Sequence, residues 1–206
     1  VLQVNDQLVD MSSSTVLPNE YNSPENILAL EQVMTAQYVR AAKVNTTLWK
    51  MYTSSDLRRS KYFNQVTVSN ILVAKGGSNQ YSCSFRVGEI YLNAAEAALM
   101  TGESAMPAAR TYLLTLIKQR YKAAAYTEKE TAINAMGRDE LLQEIYDERT
   151  RELAFEGHRW FDLRRTTRPR LEKTYSGTTY VLEENDSRYT IRIPSEAIEA
   201  NPGLAN

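Results

Sequence analysis

The segment from Glu148 to Arg165, ERTRELAFEGHRWFDLRR, contains the residue types that could do chemistry. Glu148, Glu152 and Glu156 recur at helical spacing, which places their carboxylates in one row along a helix. Two carboxylates held apart across a cleft can hydrolyse a glycosidic bond, with one of them acting as a general acid. The arginines between these glutamates work against that chemistry, because a neighbouring guanidinium keeps a carboxylate ionised. The pattern therefore favours ion pairing over catalysis, and we predict no catalytic residue here.

The same row predicts a network of ion pairs that docks helices against one another. Glutamates in a row repel each other, and a charge beside an apolar helix face must be paired or hydrated. Within the segment, helical spacing allows Arg149 to pair with Glu152 and Arg159 with Glu156. Arg86 or Arg151 can supply further cations, and two glutamates of an alanine-rich helix can supply carboxylates. The predicted structural ion network comprises Glu89, Glu96, Arg149, Glu152, Glu156 and Arg159.

Two other chemistries for this segment find less support. His158 is the only histidine of the chain, and no metal-ligand spacing surrounds it, so we predict no metal site. The arginines of RWFDLRRTTRPR lie beside aromatic residues, as in proteins that hold a nucleic-acid strand. However, Asp162 interrupts them, Glu172 follows them, and no nucleic-acid motif is present. We therefore expect neither a cofactor nor a nucleic-acid partner.

The composition limits the class of protein. The chain has 206 residues, the size of one domain or of a large piece of a bigger one. Its 24 lysines and arginines nearly balance 25 acidic residues, so no broad field attracts nucleic acid or an anionic membrane. Cys83 is the only cysteine, which rules out an internal disulfide. The opening VLQVNDQLVD lacks the features of a signal peptide, and we interpret the chain as a C-terminal fragment or a processed chain.

Hydrophobic periodicity predicts a mainly helical protein. The expected helices cover residues 24–43, 85–103, 107–121 and 138–157, with short helical pieces over 45–63, 158–165 and 194–206. The helices over 85–103 and 107–121 form a pair that is typical of a tetratricopeptide hairpin, or of any antiparallel helix pair. Residues 64–74 are rich in β-branched residues and predict a strand. KTYSGTTYVL and SRYTIRI predict a small β-hairpin around a turn at Asn185 and Asp186.

Several sequence blocks resemble the C-terminal half of the SusD/RagB family. They are RVGEIYLNAAEAALMTGE, ELLQEIYDERTRELAFEGHRWFDLRR and RIPSEAIEANPGLAN, in that order, with SSDLRRSKYF as a further segment. The middle block is the most specific of them, and the resemblance covers about Ser54 to Asn206. It implies a SusD-like α-helical fold with tetratricopeptide-like helix pairs, irregular loops and a small β-hairpin. The charged block would then belong to the scaffold.

The resemblance also implies a function. Proteins of this family are lipoproteins on the outer face of the outer membrane of Bacteroidetes. They are not enzymes; they bind oligosaccharides, or in some members peptides, and cap a SusC-like TonB-dependent transporter. Such proteins are usually more than twice this long, so we expect the N-terminal half to be absent from this chain. Contact with a membrane would then occur only through a lipid anchor outside this chain.

The family has no fixed ligand motif, so candidate ligand residues come from physical reasoning alone. Sugars place their C–H faces on exposed aromatic rings, and the aromatics outside the clearest helices are therefore the candidates. We select Tyr21, Trp49 and Tyr52, with the alternative that Trp49 belongs to the core. Besides a glycan-binding protein, a peptide-binding protein, a helical scaffold without a small ligand and a glycoside hydrolase remain as alternatives.

Overall fold

The computed structural model describes residues 1–29, 43–75 and 84–204. The chain divides into two units, Val1–Gly157 and His158–Asn206. Helices predominate among the described residues, and the strands are short and form two-stranded pairs. The predicted fold class, mainly α with a small β-hairpin, is confirmed.

The centre of the first unit is a group of helices that share one apolar core. The pair begins with α3 (Val87–Thr101), which ends at Gly102, a residue whose φ of 134° favours glycine. A short 3-10 turn, Glu103–Ala105, leads into α4 (Met106–Lys118). Tyr91, Leu92, Ala95 and Leu99 of the first helix pack with the buried leucines of the second. The predicted helix pair is therefore present. Ile90, Ala94 and Ala98, which also recur at helical spacing, are only half-buried.

Sequence periodicity missed one helix. The segment after α4 forms α5 (Ala123–Ala135), whose only fully buried side chain among the described residues is Ile133. A helix that buries so little has no apolar stripe for periodicity to detect. The next helix, α6 (Arg138–Glu152), begins where the sequence predicts, and Gly137 is its N-terminal cap residue. The Glu140 carboxylate accepts the backbone N–H of Gly137 at 2.9 Å and so caps the helix start.

The end of α6 also differs from the prediction. The sequence predicts a helix that continues to Gly157, but the regular helix ends at Glu152. Phe155 adopts a φ of 65°, in the left-handed region that is uncommon for residues other than glycine. Gly157 follows with a φ of 86°. Glu156 therefore lies in a turn, so helical spacing no longer determines where its side chain points.

Short strands complete the first unit and correct two predictions. The strand β1 (Asn26–Ala29) pairs antiparallel with β4 (Ser84–Arg86), although the sequence predicts a helix over residues 24–43. The rest of that predicted helix, residues 30–42, lies outside the described residues. Glu25 immediately precedes this strand, and its carboxylate is buried. Burial of this charge holds the backbone in an extended conformation, although the local sequence favours a helix. The predicted strand over residues 64–74 is a pair, β2 (Phe63–Gln65) and β3 (Ile71–Val73).

Two short helices lie between these strands, as the sequence predicts. They are α1 (Thr46–Lys50), capped by the side chain of Asn45, and α2 (Arg58–Lys61). Together with β2 and β3 they enclose a second apolar cluster that includes Tyr52 and Phe63.

The second unit begins with α7 (Arg159–Arg165) and continues with the strands β5 (Leu171–Tyr175) and β6 (Thr178–Leu182). These strands form a hairpin whose turn is Ser176 and Gly177, both with positive φ, which matches the right-handed twist of paired strands. The predicted hairpin turn at Asn185 and Asp186 is therefore wrong. The segment SRYTIRI begins with a 3-10 turn, and the predicted helical piece near the end is α8 (Ser195–Ala200). Across the described residues, no helix is long and apolar enough to cross a bilayer.

Candidate functional site

A cluster of buried charges lies where α6 meets the strands and short helices of the first unit. We call it the ion cluster. Its carboxylates are fully buried, and so are its cations except Arg151, which is nearly so. It comprises Glu25, Asp56, Arg58, Lys75, Arg86, Arg120, Glu148, Arg151, Glu152 and Glu156. Because five carboxylates face five cations in this set, the cluster is neutral overall.

Glu152 is the hub of the ion cluster. Arg58 donates to its Oε2 at 2.8 Å, and Arg86 donates to its Oε1 at 2.6 Å. Arg120 reaches both oxygens through Nε, at 3.1 and 3.0 Å, and reaches Oε1 again through Nη2 at 2.9 Å. Each guanidinium comes from a different part of the chain, so one carboxylate ties three segments to the end of α6.

Glu156 forms a second centre with Arg86 and Lys75. Arg86 donates to the two carboxylate oxygens at 2.8 and 2.9 Å, and the ammonium of Lys75 contacts Oε1. Lys75 also donates to the carbonyl oxygens of Glu152 and Ala154, at 2.8 and 2.9 Å. These bonds satisfy carbonyl groups that the end of α6 leaves without helical partners.

Glu148 closes the other side of the cluster. Arg58 donates to its Oε1 at 2.6 Å, and Arg151 donates to its Oε2 at 2.8 Å. Arg58 also binds Asp56 through Nε at 2.9 Å and Nη2 at 2.8 Å, which is a bidentate pair. The carboxylate of Asp56 is therefore already neutralised from within the protein.

These contacts set the pKa values of the buried groups. For Glu152 the largest single influence is burial, which raises the pKa, but Arg120, Arg86 and Arg58 together outweigh it and hold the pKa well below its usual value. Glu148 and Glu156 also have lowered pKa values, since their cations likewise outweigh burial. Burial lowers the pKa of Lys75 to about 8, although Glu156 beside it acts in the opposite direction. Glu148, Glu152 and Glu156 are therefore ionised at neutral pH.

This arrangement suits a structural role. A general acid needs a raised pKa and access to its substrate. The pKa values of Glu148, Glu152 and Glu156 are lowered, and their side chains have no exposed surface. Over the described residues, no group of three or more histidine, cysteine, aspartate or glutamate side chains is placed to hold a metal ion.

The structure distributes the residues of the predicted ion network over several places. Glu152 and Glu156 lie in the ion cluster. Arg149 donates to Asn93 Oδ1 at 2.6 Å and lies 4.0 Å from Glu89 Oε1, on the side of α6 that faces α3. Glu96 accepts from the hydroxyl of Tyr146 at 3.4 Å. Arg159 lies in α7, in the second unit.

Of the ten residues of the ion cluster, only Glu152 and Glu156 belong to the predicted network, and Glu148, Arg86 and Arg151 were named beside it. Glu25, Asp56, Arg58, Lys75 and Arg120 were not among the predicted members, and Arg58 is separated from Glu152 by 94 positions in the sequence. Helical spacing relates only near neighbours, so it gives no information on such partners. The available signal was the segment SSDLRRSKYF, which contains Asp56 and Arg58 and belongs to the resemblance.

A surface pocket of about 540 Å³ lies on the first unit, and its lining includes Asp56 of the ion cluster but no residue of α6. Its volume falls within the range of about 300–1,000 Å³ that is typical of small-molecule sites. Its lining combines apolar rings, hydroxyl and amide groups, and charged side chains. The lining residues are Trp49, Ser54, Asp56, Leu57, Arg59, Ser60, Phe63, Gln65 and Lys122.

Trp49 and Arg59 form one wall of this pocket. The Arg59 guanidinium carbon lies 4.2 Å from the centroid of the Trp49 ring, a cation–π contact. Arg59 Nη1 also donates to the carbonyl oxygen of Tyr52 at 2.8 Å. The rings of Phe63 and Trp49 pack in a T-shaped arrangement with centroids 5.3 Å apart. These contacts hold the guanidinium in one position over the indole ring.

The three candidate ligand residues differ in accessibility. Trp49 is half-buried and lines the pocket. Tyr52 has no exposed surface, and its hydroxyl donates to the carbonyl oxygen of Arg151 at 2.7 Å, so its ring packs in the core. Tyr21 is 55% exposed and is not part of the pocket lining.

The first unit therefore combines a helical scaffold, a buried ion cluster that docks it, and a surface pocket with aromatic residues in its lining. Residues 15–206 match the family model SusD_RagB, which describes the SusD family. The resemblance seen in the sequence is confirmed, and the chain belongs to the SusD family.

Solved structures show the same fold. One is a SusD-like carbohydrate binding protein from Bacteroides vulgatus ATCC 8482, with a TM-score of 0.66 and 19% sequence identity over 99% of this chain and 53% of that chain. Another is a SusD superfamily protein from Bacteroides fragilis, with a TM-score of 0.70 and 18% identity over 98% of this chain and 49% of that chain. This chain therefore spans about half the length of these relatives. A search of the curated proteins finds no match to this sequence.

Proposed function

We propose that this chain belongs to a non-catalytic cell-surface protein that captures oligosaccharides and delivers them to a SusC-like TonB-dependent transporter. Membership of the SusD family is the observation that carries the proposal. One of the similar solved structures is named as a carbohydrate binding protein, and it shares the fold of this chain. The proposed location is the outer face of the outer membrane, with the protein held there as a lipoprotein.

The pocket beside Trp49 supports a binding role. It has an apolar wall of Trp49, Leu57 and Phe63, and it offers hydroxyl and amide groups from Ser54 and Gln65. An apolar wall with a few polar groups is the usual composition of a small-molecule site, in which the polar groups fix the orientation of the ligand. A sugar has both kinds of surface, since its C–H groups are apolar and its hydroxyls form hydrogen bonds.

The ion cluster supports the absence of catalysis. Glu148 and Glu152 are the carboxylates that would resemble a glycosidase pair. In the described part of the chain, arginines bind both carboxylates, and neither is exposed to solvent. Retaining and inverting glycosidases both need carboxylates that reach the sugar from two sides. We therefore assign these glutamates to the scaffold.

The proposal is tested by native affinity electrophoresis of the intact protein in gels that contain host, plant or microbial polysaccharides. The same mixtures are then analysed for cleavage products. We expect retardation by at least one polysaccharide and no products. Products that disappear in a folded Glu152→Gln variant would overturn the non-catalytic assignment. Retardation by no polysaccharide, together with binding of peptide pools, would overturn the glycan assignment.

The delivery step needs a separate test in the native membrane. The tagged intact protein is purified from detergent-solubilised outer membranes, and co-purifying proteins are identified. A TonB-dependent transporter recovered in a stoichiometric complex is the expected result. Recovery of the glycan-binding protein alone, under detergent conditions that preserve other outer-membrane complexes, would contradict the transporter assignment.

A further inference from the structure

The charges of the surface pocket are not balanced. Its lining contains two cations, Arg59 and Lys122, and one carboxylate, Asp56. Both oxygens of Asp56 are engaged by the side chain of Arg58, and Asp56 Oδ1 also accepts the backbone N–H of Arg58 at 2.9 Å. Since Arg58 neutralises that carboxylate, the remaining charge of the lining is positive.

Arg59 is held with part of its guanidinium unused. Its Nη1 donates to the carbonyl of Tyr52, and its flat face lies on the ring of Trp49. Among the residues that the structure describes, no acceptor contacts its Nε or Nη2, and no carboxylate pairs with it. The edge formed by Nε and Nη2 can donate two parallel hydrogen bonds to a carboxylate.

Lys122 adds a second cation without a protein counterion. Its side chain is exposed, and only its backbone forms a hydrogen bond, in which the N–H donates to the carbonyl oxygen of Ser55 at 3.0 Å. Within the described ranges, no carboxylate lies within ion-pair distance of its ammonium group. An exposed ammonium on a flexible stem can follow a ligand that Arg59 has already oriented.

From these contacts we propose that the pocket binds the carboxylate of an acidic sugar, as in a glycan that contains uronic acids. Arg59 takes the carboxylate through Nε and Nη2, and Lys122 supplies the second positive charge. Ser54, Ser60 and Gln65 bind the hydroxyls of the same sugar. This inference rests on the proposed glycan-binding function and specifies the ligand class.

The role of Trp49 changes accordingly. The sequence suggests Trp49 as a platform for a sugar ring, but the guanidinium of Arg59 already occupies a face of the indole. A sugar could stack on that face only after Arg59 moved and lost its contact with the Tyr52 carbonyl. The geometry therefore makes Trp49 a positioning residue that holds Arg59, while Arg59 contacts the ligand.

The test compares carboxylated and neutral forms of the same oligosaccharides with the intact protein. The probes are oligogalacturonates and oligoglucuronates, each with a carboxyl-reduced counterpart that has the same linkages and no charge. Isothermal titration calorimetry gives the affinity at low and high ionic strength. We expect binding of a carboxylated form, weakening by about tenfold or more on carboxyl reduction, and a further decrease with salt.

Three variants assign the effect to the pocket. Arg59→Lys keeps the charge but removes the two-pronged geometry, and it is expected to lower the affinity for the carboxylated glycan by about tenfold. Lys122→Gln changes an exposed side chain and leaves the fold intact, and it is expected to weaken binding as well. Lys50→Gln is the matched control, because Lys50 is an exposed lysine of α1 outside the pocket lining. Its affinity is expected to equal that of the wild type.

The outcomes separate this inference from the function on which it rests. Binding of neutral glycans with unchanged affinity in Arg59→Lys and Lys122→Gln would overturn the acidic-sugar site and leave the glycan-binding function standing. Binding of acidic peptides but of no oligosaccharide would overturn both. If Lys50→Gln weakened the carboxylate-dependent binding as much as Lys122→Gln does, the assignment to this pocket would be overturned.

Discussion

The guanidinium of Arg120 and the carboxylate of Glu152 form three hydrogen bonds, at distances of 2.9 to 3.1 Å, inside the first unit. Arg120 follows α4 and Glu152 ends α6, so the pair joins two helices that are otherwise held by apolar contacts. A carboxylate at the end of a helix is unfavourable, because the helix dipole is negative there. Three arginines around Glu152 offset that repulsion, and the helix end is thereby fixed to its neighbours.

Replacing Arg120 tests whether the ion cluster docks the helices. Arg120→Met leaves the apolar stem and removes the charge, so Glu152 and Glu25 each lose a buried partner. Breaking a buried pair from one side costs about 3–5 kcal/mol, because the remaining charge is uncompensated. We expect the free energy of unfolding, measured by urea denaturation, to fall by about that amount.

The control for Arg120 is an arginine that is only half-buried. Arg138 begins α6 and pairs with Asp139 at 3.4 Å on the surface. Because exposed ion pairs contribute little, Arg138→Met is expected to change the free energy of unfolding by less than about 0.5 kcal/mol. Equal effects of the two substitutions would show that burial of the cluster has no energetic consequence.

Gly88 tests how tightly the cluster is packed. A Cβ added at this position would lie 2.5 Å from Arg86 Nη1 and 3.1 Å from an oxygen of both Glu25 and Glu152. The head group of Arg86 cannot move aside easily, since it is hydrogen-bonded to these carboxylates and to Glu156. Gly88→Ala is therefore expected to destabilise the protein by about 1–3 kcal/mol in thermal unfolding, although alanine favours a helix over glycine.

A second glycine gives the comparison for Gly88. At Gly137 an added Cβ would meet only the Glu140 carboxylate, at 3.8 Å, and the backbone φ of −72° suits any residue. We expect Gly137→Ala to cost less than about 1 kcal/mol, the loss of a favourable cap residue. A Gly88→Ala variant that is more stable than the wild type would contradict this prediction, because it would show that the guanidinium of Arg86 has room to shift.

The lowered pKa of Glu156 predicts how stability depends on acid. Glu156 binds fewer protons in the folded state than in the unfolded state over the range between its two pKa values. The stability that ionised Glu156 contributes is therefore fully present above its pKa in the unfolded state, near 4.5. It is lost as the pH falls through the lower pKa of the folded state. The difference in free energy of unfolding between wild type and Glu156→Gln should be largest at neutral pH and shrink below about pH 4.5.

Urea denaturation at several pH values between about 3 and 7 measures this difference. Glu128→Gln serves as the control, because Glu128 lies exposed on α5. Its curve should run parallel to that of the wild type across the whole range. A difference for Glu156→Gln that stays constant from neutral pH to pH 3 would show that Glu156 is not held as a carboxylate by Arg86 and Lys75.

The sequence was informative where the relevant neighbours are close along the chain. Helical spacing predicted α3, α4 and most of α6, because each presents an apolar stripe to the core. It also placed Glu148 and Glu152 on one row, and the repulsion within that row predicted that cations from elsewhere approach. Arg86, named as a possible donor, does reach Glu152.

The partners from distant segments could not be predicted in the same way. Lys75 follows a β-strand and Glu25 precedes one, and nothing in their local sequence shows that they meet at the end of α6. The left-handed conformation at Phe155 redirects the chain after Glu152, so the helical row gives the wrong position for Glu156. Tertiary burial of charge also explains β1, where a sequence with helical periodicity is extended.

The last prediction separates the two aromatic candidates, Trp49 and Tyr52, by what each does for Arg59. Trp49→Leu keeps an apolar side chain but removes the ring under the guanidinium, so the affinity for a carboxylated oligosaccharide should fall about five- to tenfold. Tyr52→Phe removes only the hydrogen bond to the Arg151 carbonyl and leaves the backbone acceptor of Arg59 in place. It should lower the free energy of unfolding by about 1 kcal/mol and leave the affinity unchanged. Calorimetric titration and urea denaturation of both variants measure these effects, and weaker binding by Tyr52→Phe than by Trp49→Leu would contradict the assigned roles.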